Sequence, residues 1–250
     1  MLTDPALSLP LLFFVGIAAG FVDAIAGGGG LLALPALMWT GMTPVQALAT
    51  NKLQATFGTF TATTNYIRNG IVPLHELRLA VILTFIGSAA GAILIQQLPT
   101  QLLEDFIPFL LICFAVYFLF AHKVGEQDRH KRISPAIFGL LFGTSLGFYD
   151  GFFGPGTGSF FMFAFVSLLG YSLQKAVGGT KLLNFTSNFA ALLVFLFSGQ
   201  ILWLIGLVMG AGQVIGGYLG SHVTLKHGSR IIRPLLVIVS VSMALKLLLG

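Results

Sequence analysis

An all-α polytopic membrane fold built from two homologous halves is what this sequence predicts, and three observations predict it. Apolar residues fill 56% of the 250 positions and charged residues only 8%, against roughly 25% charged in a soluble domain. Several apolar runs last about 18–22 residues, enough to cross about 30 Å of hydrocarbon. Finally, the motifs of the first half return in the same order in the second. A soluble fold of this size needs far more polar surface to cover its core.

Five apolar segments are expected in each half. They run 8–26, 30–40, 44–67, 76–97 and 102–121, then 134–151, 157–169, 174–197, 201–222 and 230–249. The first follows Met1-Leu2-Thr3-Asp4, which lacks a basic n-region and a clear cleavage site, so it reads as a retained span. The second of each half is only about 11–13 residues long, and is expected to be tilted, broken or partly re-entrant. Between the halves lies the longest polar stretch, His122 to Arg132, expected as a solvated cytoplasmic loop. The domains are thus a first transmembrane repeat at 1–121, a loop at 122–133 and a second repeat at 134–250.

The repeat is read from matched motifs. Gly20-Phe21-Val22-Asp23 is answered by Gly147-Phe148-Tyr149-Asp150, and each is followed by a glycine tract. Those tracts are Gly27-Gly28-Gly29-Gly30 and Gly154-Pro155-Gly156-Thr157-Gly158. The stretch from Gly41 to Leu53 matches Gly170 to Leu182, which sets Lys52 opposite Lys181. Gly87-x-x-x-Gly91 is answered by Gly212-x-x-x-Gly216, and Pro108 by Pro234. Near-constant spacing between partners marks a duplication.

Charge sets the orientation. Basic residues cluster in short connections: Arg68 and Arg78, the central loop, then Lys226, Arg230 and Arg233. The connections at 97–104 and 198–201 carry none. If all five segments of each half cross, every basic connection falls on the cytoplasmic side and both termini face outwards. Five is odd, so the second half would enter the membrane in the opposite sense, as an inverted repeat. If the short segments do not cross, the count becomes four plus four and the repeats are parallel. The charge count favours inversion. The net charge of +5 does not point to nucleic acid, because no long basic tail or aromatic-basic stripe accompanies it. The single cysteine, Cys113, lies in an apolar run and implies packing.

Glycine tracts in apolar surroundings are costly, since each glycine weakens a helix by about 1 kcal/mol. Broken backbone at membrane depth persists where it is buried in protein or lines a cavity. Each tract leads into another apolar segment, so Gly27, Gly28, Gly29 and Gly30, with Gly154, Gly156 and Gly158, could present N–H groups at helix N-termini to an anion. Close helix packing is the competing explanation. Lys52 and Lys181 lie near the start of long apolar segments, where ionisable residues are expensive and usually face a bundle interior or cavity. Lys52, Thr56, Thr59 and Thr63 form one polar stripe, and Lys181, Asn184 and Asn188 another. Snorkelling to the interface is the alternative for the lysines.

Asp23 and Asp150 precede the tracts by four residues. They could pair with the lysines, brace the broken helices or carry protons. Thr50, Asn51, Gln54, Thr180, Ser187 and Gln213 could donate hydrogen bonds to a ligand, although each alone is better read as a helix–helix contact. The five histidines have no spacing suited to a metal, and Trp39 and Trp203 suit interface anchors. No nucleophile elbow, P-loop or paired-carboxylate hydrolase pattern occurs, so neither an enzyme nor a cofactor is expected.

At these residues the sequence resembles the TauE/SafE family of membrane transporters, the sulfite exporter group, and its bacterial YfcA-type members. The resemblance is carried by GFVDAIAGGGGLLALPAL (Gly20 to Leu37), ALATNKLQ (Ala47 to Gln54), GFYDGFFGPGTGSF (Gly147 to Phe160) and Thr180 to Asn184. It implies a permease of the inner (plasma) membrane, and export of sulfite or organosulfur anions by some members. The expected function is alternating access for a small anion, such as sulfite or a sulfonate. Lys52, Lys181, the tract glycines, Asn51, Thr180 and Asn184 would form the site, with the lipid bilayer as solvent and a homo-oligomer compatible with the sequence. An anion channel, an accessory subunit without transport of its own and a membrane enzyme are the rival classes.

Overall fold

The protein is described by a computed structural model over residues 5–99 and 131–228. The segments expected at 102–121 and 230–249, most of the central loop, and Cys113 lie outside the described residues. Every regular element among the described residues is helical.

Helix α1 (Pro5–Ala26) ends where Gly27 turns to φ +78°, and α2 (Gly29–Met38) starts two residues later. Glycine is needed there because other residues rarely adopt positive φ. Helix α3 (Pro44–Arg68) opens on a capping box: Thr43 Oγ1 accepts from the Gln46 amide at 3.3 Å, and Gln46 Oε1 accepts from the Thr43 amide at 3.1 Å. Pro44 fits the first turn, where its missing N–H is no loss. Helix α4 (Leu74–Ile95) follows a short turn. The second half begins with α5 (Pro135–Phe138), capped by Ser134, and passes through a π-helical turn (Gly139–Gly143) into α6 (Thr144–Phe152). Then come α7 (Thr157–Leu168), α8 (Leu173–Phe195) and α9 (Trp203–His227). The apolar segments expected in these regions fall on helices. The largest difference is at α9, which runs beyond 222 to His227, because the polar residues after the apolar run continue the helix until Gly228.

By length and composition α1, α4 and α9 can cross a membrane, over Ser8–Ala26, Leu74–Ile95 and Trp203–His227. Helices α3 and α8 are as long, at 25 and 23 residues, and less apolar because they carry the polar stripes. The short apolar helices are α2 and α7, of 10 and 12 residues. Large apolar side chains such as Phe14, Ile82, Ile86, Leu204 and Leu207 are exposed, while Lys52 and Lys181 are buried. That inverted distribution suits a hydrocarbon solvent.

The two halves interlock. The first helix of each half packs on the fourth of the other, backbone to backbone through glycines. Gly16 lies on Met209, Gly20 on Gln213, Gly216 on Ile17 and Gly220 on Phe21. Residue numbers climb together along both helices, so α1 and α9 run parallel. Likewise Gly87 lies on Thr144, Gly91 on Phe148 and Gly151 on Ser88, so α4 and α6 run parallel. Small residues let membrane helices approach this closely. A Cβ at Gly91 or Gly151 would run into the carbonyl oxygen of Phe148 or Ser88. Gly91→Ala is therefore expected to destabilise by about 1–3 kcal/mol, measured as a lower melting temperature of the detergent-solubilised protein.

Two further pairings fix the centre. Along α3 and α9, Gly206 meets Leu53, Gly210 meets Phe57, and Asn65 donates to Ser221 at 2.8 Å, again in parallel. Along α4 and α8, Gly179 meets Leu77, and Ser88 donates to the Ser187 carbonyl at 2.6 Å. Between α3 and α8 the order reverses, since Lys52 reaches Asn188 and Phe60 stacks near Phe185. The buried apolar residues form two clusters. One gathers Tyr66, Leu77, Phe138, Phe165 and Tyr171, and the other Leu12, Leu34, Leu48, Phe153 and Phe195. On α3 the polar residues Asn51 and Lys52 lie among members of the second cluster, Ala47 to Leu53, before Ala62 and Tyr66 of the first. A polar layer therefore sits where the two clusters adjoin.

Candidate functional site

The layer is built where the two broken helices meet. Gly27 and Gly158 touch: a Cβ on Gly27 would lie 2.5 Å from the Gly158 carbonyl carbon, and one on Gly158 the same distance from the Gly27 Cα. The contact is locked by Ser159 Oγ, which donates to the Ala26 carbonyl at 2.7 Å. Tyr66 and Tyr149 hold the flanks, donating to the carbonyls of Ala24 at 2.8 Å and Pro155 at 2.7 Å. Each hydroxyl satisfies a carbonyl that the interrupted helix leaves without its usual partner.

The charges are crossed between halves. Lys52 of the first half donates to Asp150 Oδ1 of the second at 2.9 Å, and Lys181 of the second donates to Asp23 Oδ2 of the first at 2.8 Å. Both ammonium groups are at most 1% exposed. Pairing is the arrangement that makes such charges tolerable in an apolar interior, since either charge alone would be strongly destabilising.

The carboxylates also sit at the starts of the short helices. Asp23 Oδ1 accepts from the Gly29 amide at 3.2 Å, at the first residue of α2. Asp150 Oδ1 accepts from the Thr157 hydroxyl at 3.3 Å, at the first residue of α7, and its Oδ2 accepts from Ser187. The helix ends read from sequence as anion sites thus already face an anion, supplied by the protein itself.

A cavity of about 30 Å³ opens between these groups. Its wall takes Gly27, Gly29 and Gly30 from one tract and Gly154, Gly156 and Gly158 from the other, with Asn51, Asn184, Asn188, Gln213, Asp23 and Asp150 around them. Lys52 and Lys181 do not line it. They stand behind their carboxylates, so the reading of both lysines as direct contacts to a ligand does not describe this state. Gly28 and Thr180 are also outside the wall. Thr180 is fully buried and its hydroxyl is unpartnered among the described residues. Asn51 accepts from Gln54 at 2.7 Å, Thr50 accepts from the Leu202 amide at 3.1 Å, and Thr56 and Thr59 bond carbonyls of their own helix. Thr56 and Thr59 therefore serve α3 itself, while the buried Thr63 hydroxyl has no partner among the described residues. Ala55 and Thr157 line the cavity without having been expected there as ligand groups. Ala55 carries no polar signal, and Thr157 is legible only as part of its tract.

Comparison with known proteins agrees with the membrane reading. The family model described as "Sulfite exporter TauE/SafE" matches residues 12–247. "Probable membrane transporter protein YfcA" of Escherichia coli K12 is 50% identical over 242 residues, covering 97% of this chain and 90% of that protein. A "Probable membrane transporter protein" of Haemophilus influenzae is 48% identical over 239 residues, covering 96% and 94%. The Bacillus subtilis "Probable membrane transporter protein YunE" is 24% identical over 267 residues, covering 97% and 98%. No solved structure matches the chain.

Proposed function

The chain belongs to the TauE/SafE family, and on that premise we propose that it is an inner-membrane transporter that moves a small anion by alternating access between two inverted halves. The observation that carries this reading is the pair of crossed Lys–Asp bridges around a small cavity at the meeting of two broken helices. The inverted arrangement is supported by helix directions. Helices α1, α3 and α9 run one way, α4, α6 and α8 the other, so equivalent helices of the two repeats oppose one another. A parallel duplication would give α3 and α9 opposite directions.

The cavity lies between two apolar clusters, one towards each end of α3 and α8. Parting one cluster while the other stays closed would open the polar layer to one side at a time. The cavity is small, and side-chain amides and glycine backbone share its wall with the two lysine-paired carboxylates. Those amide and backbone donors suit a compact ion with a few oxygen atoms, such as sulfite or a sulfonate. With the interior negative, export of a monoanion is favoured by about 2.3 kcal/mol per 100 mV.

The test is flux in proteoliposomes under an imposed potential, screened over sulfite, thiosulfate, sulfonates and small carboxylates. Saturable, counterflow-competent movement of one of them is expected. Lys52→Gln and Lys181→Gln are each expected to cut it at least tenfold at equal folded protein. Wild-type flux in both variants would sink the role of the lysines, and flux that does not saturate would make the protein a channel.

A further inference from the structure

The two ion pairs are equivalent in sequence and unequal in surroundings. Asp150 is held by three side chains. It accepts from Lys52, Ser187 and Thr157, and Lys52 also donates to Asn188 at 3.1 Å. Around Asp23 the positions that match Thr157 and Ser187 carry no such groups, and Thr59, which matches Asn188, bonds carbonyls of its own helix. In the register that sets Asp23 opposite Asp150 and Lys52 opposite Lys181, glycines replace both hydroxyls: Gly30 stands for Thr157 and Gly58 for Ser187. Among the described residues Asp23 accepts only from Lys181 and the Gly29 amide, and Lys181 has no second partner.

Two side-chain amides on the cavity wall are also uncommitted. Asn184, one turn from Lys181 and 4% exposed, makes no side-chain hydrogen bond among the described residues, and its Oδ1 is buried without a partner. Its Nδ2 lies over Gly158, 2.7 Å from where a Cβ there would be. Gln213 is 2% exposed, lies against Gly20 and Gly58, and has no side-chain hydrogen bond described. Its counterpart, Ser88, donates to the Ser187 carbonyl. A buried amide oxygen without a partner, as at Asn184, is costly unless something else supplies the bond.

We propose that the two pairs have separate tasks: Lys52–Asp150 is a permanent brace, while Lys181–Asp23 opens, the substrate anion replacing the Asp23 carboxylate on Lys181 with Asn184 and Gln213 as its amide contacts. This rests on the anion-transport reading above. An anion beside an unprotected Asp23 would leave two negative charges sharing one ammonium. Asp23 therefore takes up a proton from the buffered aqueous phase (hydronium or buffer acid) on the oxygen released by Lys181, while its other oxygen keeps the Gly29 amide. No bond within the anion changes. The charged groups around Asp23 are Lys181 from α8 and, across the cavity, Asp150 of α6 held by Lys52 of α3. The amide of Gly29 faces it from α2 and the uncharged Gln213 from α9.

The experiment measures binding to the purified full chain between pH 5 and 8, using methanesulfonate and thiosulfate, whose charge is constant in that range, with sulfite alongside. One proton taken up per anion makes affinity rise up to about tenfold per unit fall in pH. Asp23→Asn is expected to abolish that slope, and Asn184→Ala to weaken binding about tenfold with a near-normal melting temperature. Ser187→Ala is expected to lower the melting temperature yet keep the slope and hold affinity within about twofold. A slope that survives in Asp23→Asn overturns the proposal. So does equal weakening by Asn184→Ala and Ser187→Ala, a comparison that stands even where Asp23→Asn does not fold. If the wild-type protein binds none of the anions, the transport reading itself fails and this proposal falls with it.

Discussion

Replacing Asp150 with alanine is expected to destabilise the protein by about 3–5 kcal/mol, the cost of leaving one member of a buried ion pair without its partner. Lys52 is 1% exposed, in the third turn of a helix walled by α8 and α9, so its ammonium cannot swing to water. Loss of the carboxylate would also leave Ser187 and Thr157 without their shared acceptor. The measurement is thermal melting of the detergent-solubilised variant, followed by size-exclusion chromatography. Adding Lys52→Met to Asp150→Ala should restore much of the loss, because a neutral side chain of similar length removes the stranded charge. If Asp150→Ala melts within a degree or two of wild type, the Lys52–Asp150 bridge is not the brace described here.

The fold was readable from sequence to an unusual depth, for a physical reason. In a bilayer each spanning helix must be a long apolar run, so hydropathy marks helices directly. Matched motifs in the two halves of the sequence add a second guide, and the bounds of α2, α3 and α7 fall close to where the runs and tracts place them. The polar residues of the site were equally visible, because Lys52, Lys181, Asp23 and Asp150 stand out against apolar neighbours. Their connections were not. Nothing in the spacing says that Lys52 pairs with the aspartate of the other half, since that depends on how the halves interlock through α1–α9 and α4–α6. Nor does the sequence reveal that the lysines stand behind carboxylates. That follows from the helix starts at Gly29 and Thr157 accepting the protein's own anions first.

The glycines of the first tract should separate into two kinds under substitution. Gly27→Val is expected to abolish folding or leave a protein without flux. Gly27 has φ +78°, where a β-branched residue is strained by about 1–3 kcal/mol. Its Cβ would also sit 2.5 Å from the Gly158 carbonyl carbon and 2.7 Å from the Ser159 nitrogen, backbone that cannot rotate away. Separating that contact would part the two broken helices and stretch the Ser159–Ala26 bond that ties them. Gly30 differs in both respects. A Cβ there would meet nothing nearer than the Pro155 Cα at 3.5 Å, at ordinary van der Waals distance, on the wall of the cavity. Gly30→Ala should therefore fold, melt close to wild type and lose anion flux by occupying cavity space between Pro155 and Asn51. Size-exclusion profiles and proteoliposome flux of the two variants make the comparison. Equal flux from Gly30→Ala and wild type would show that the space beside Gly30 is not used by the substrate. A folded, active Gly27→Val would show that the two tracts need not touch for transport, because the contact is where movement of one half would be felt by the other.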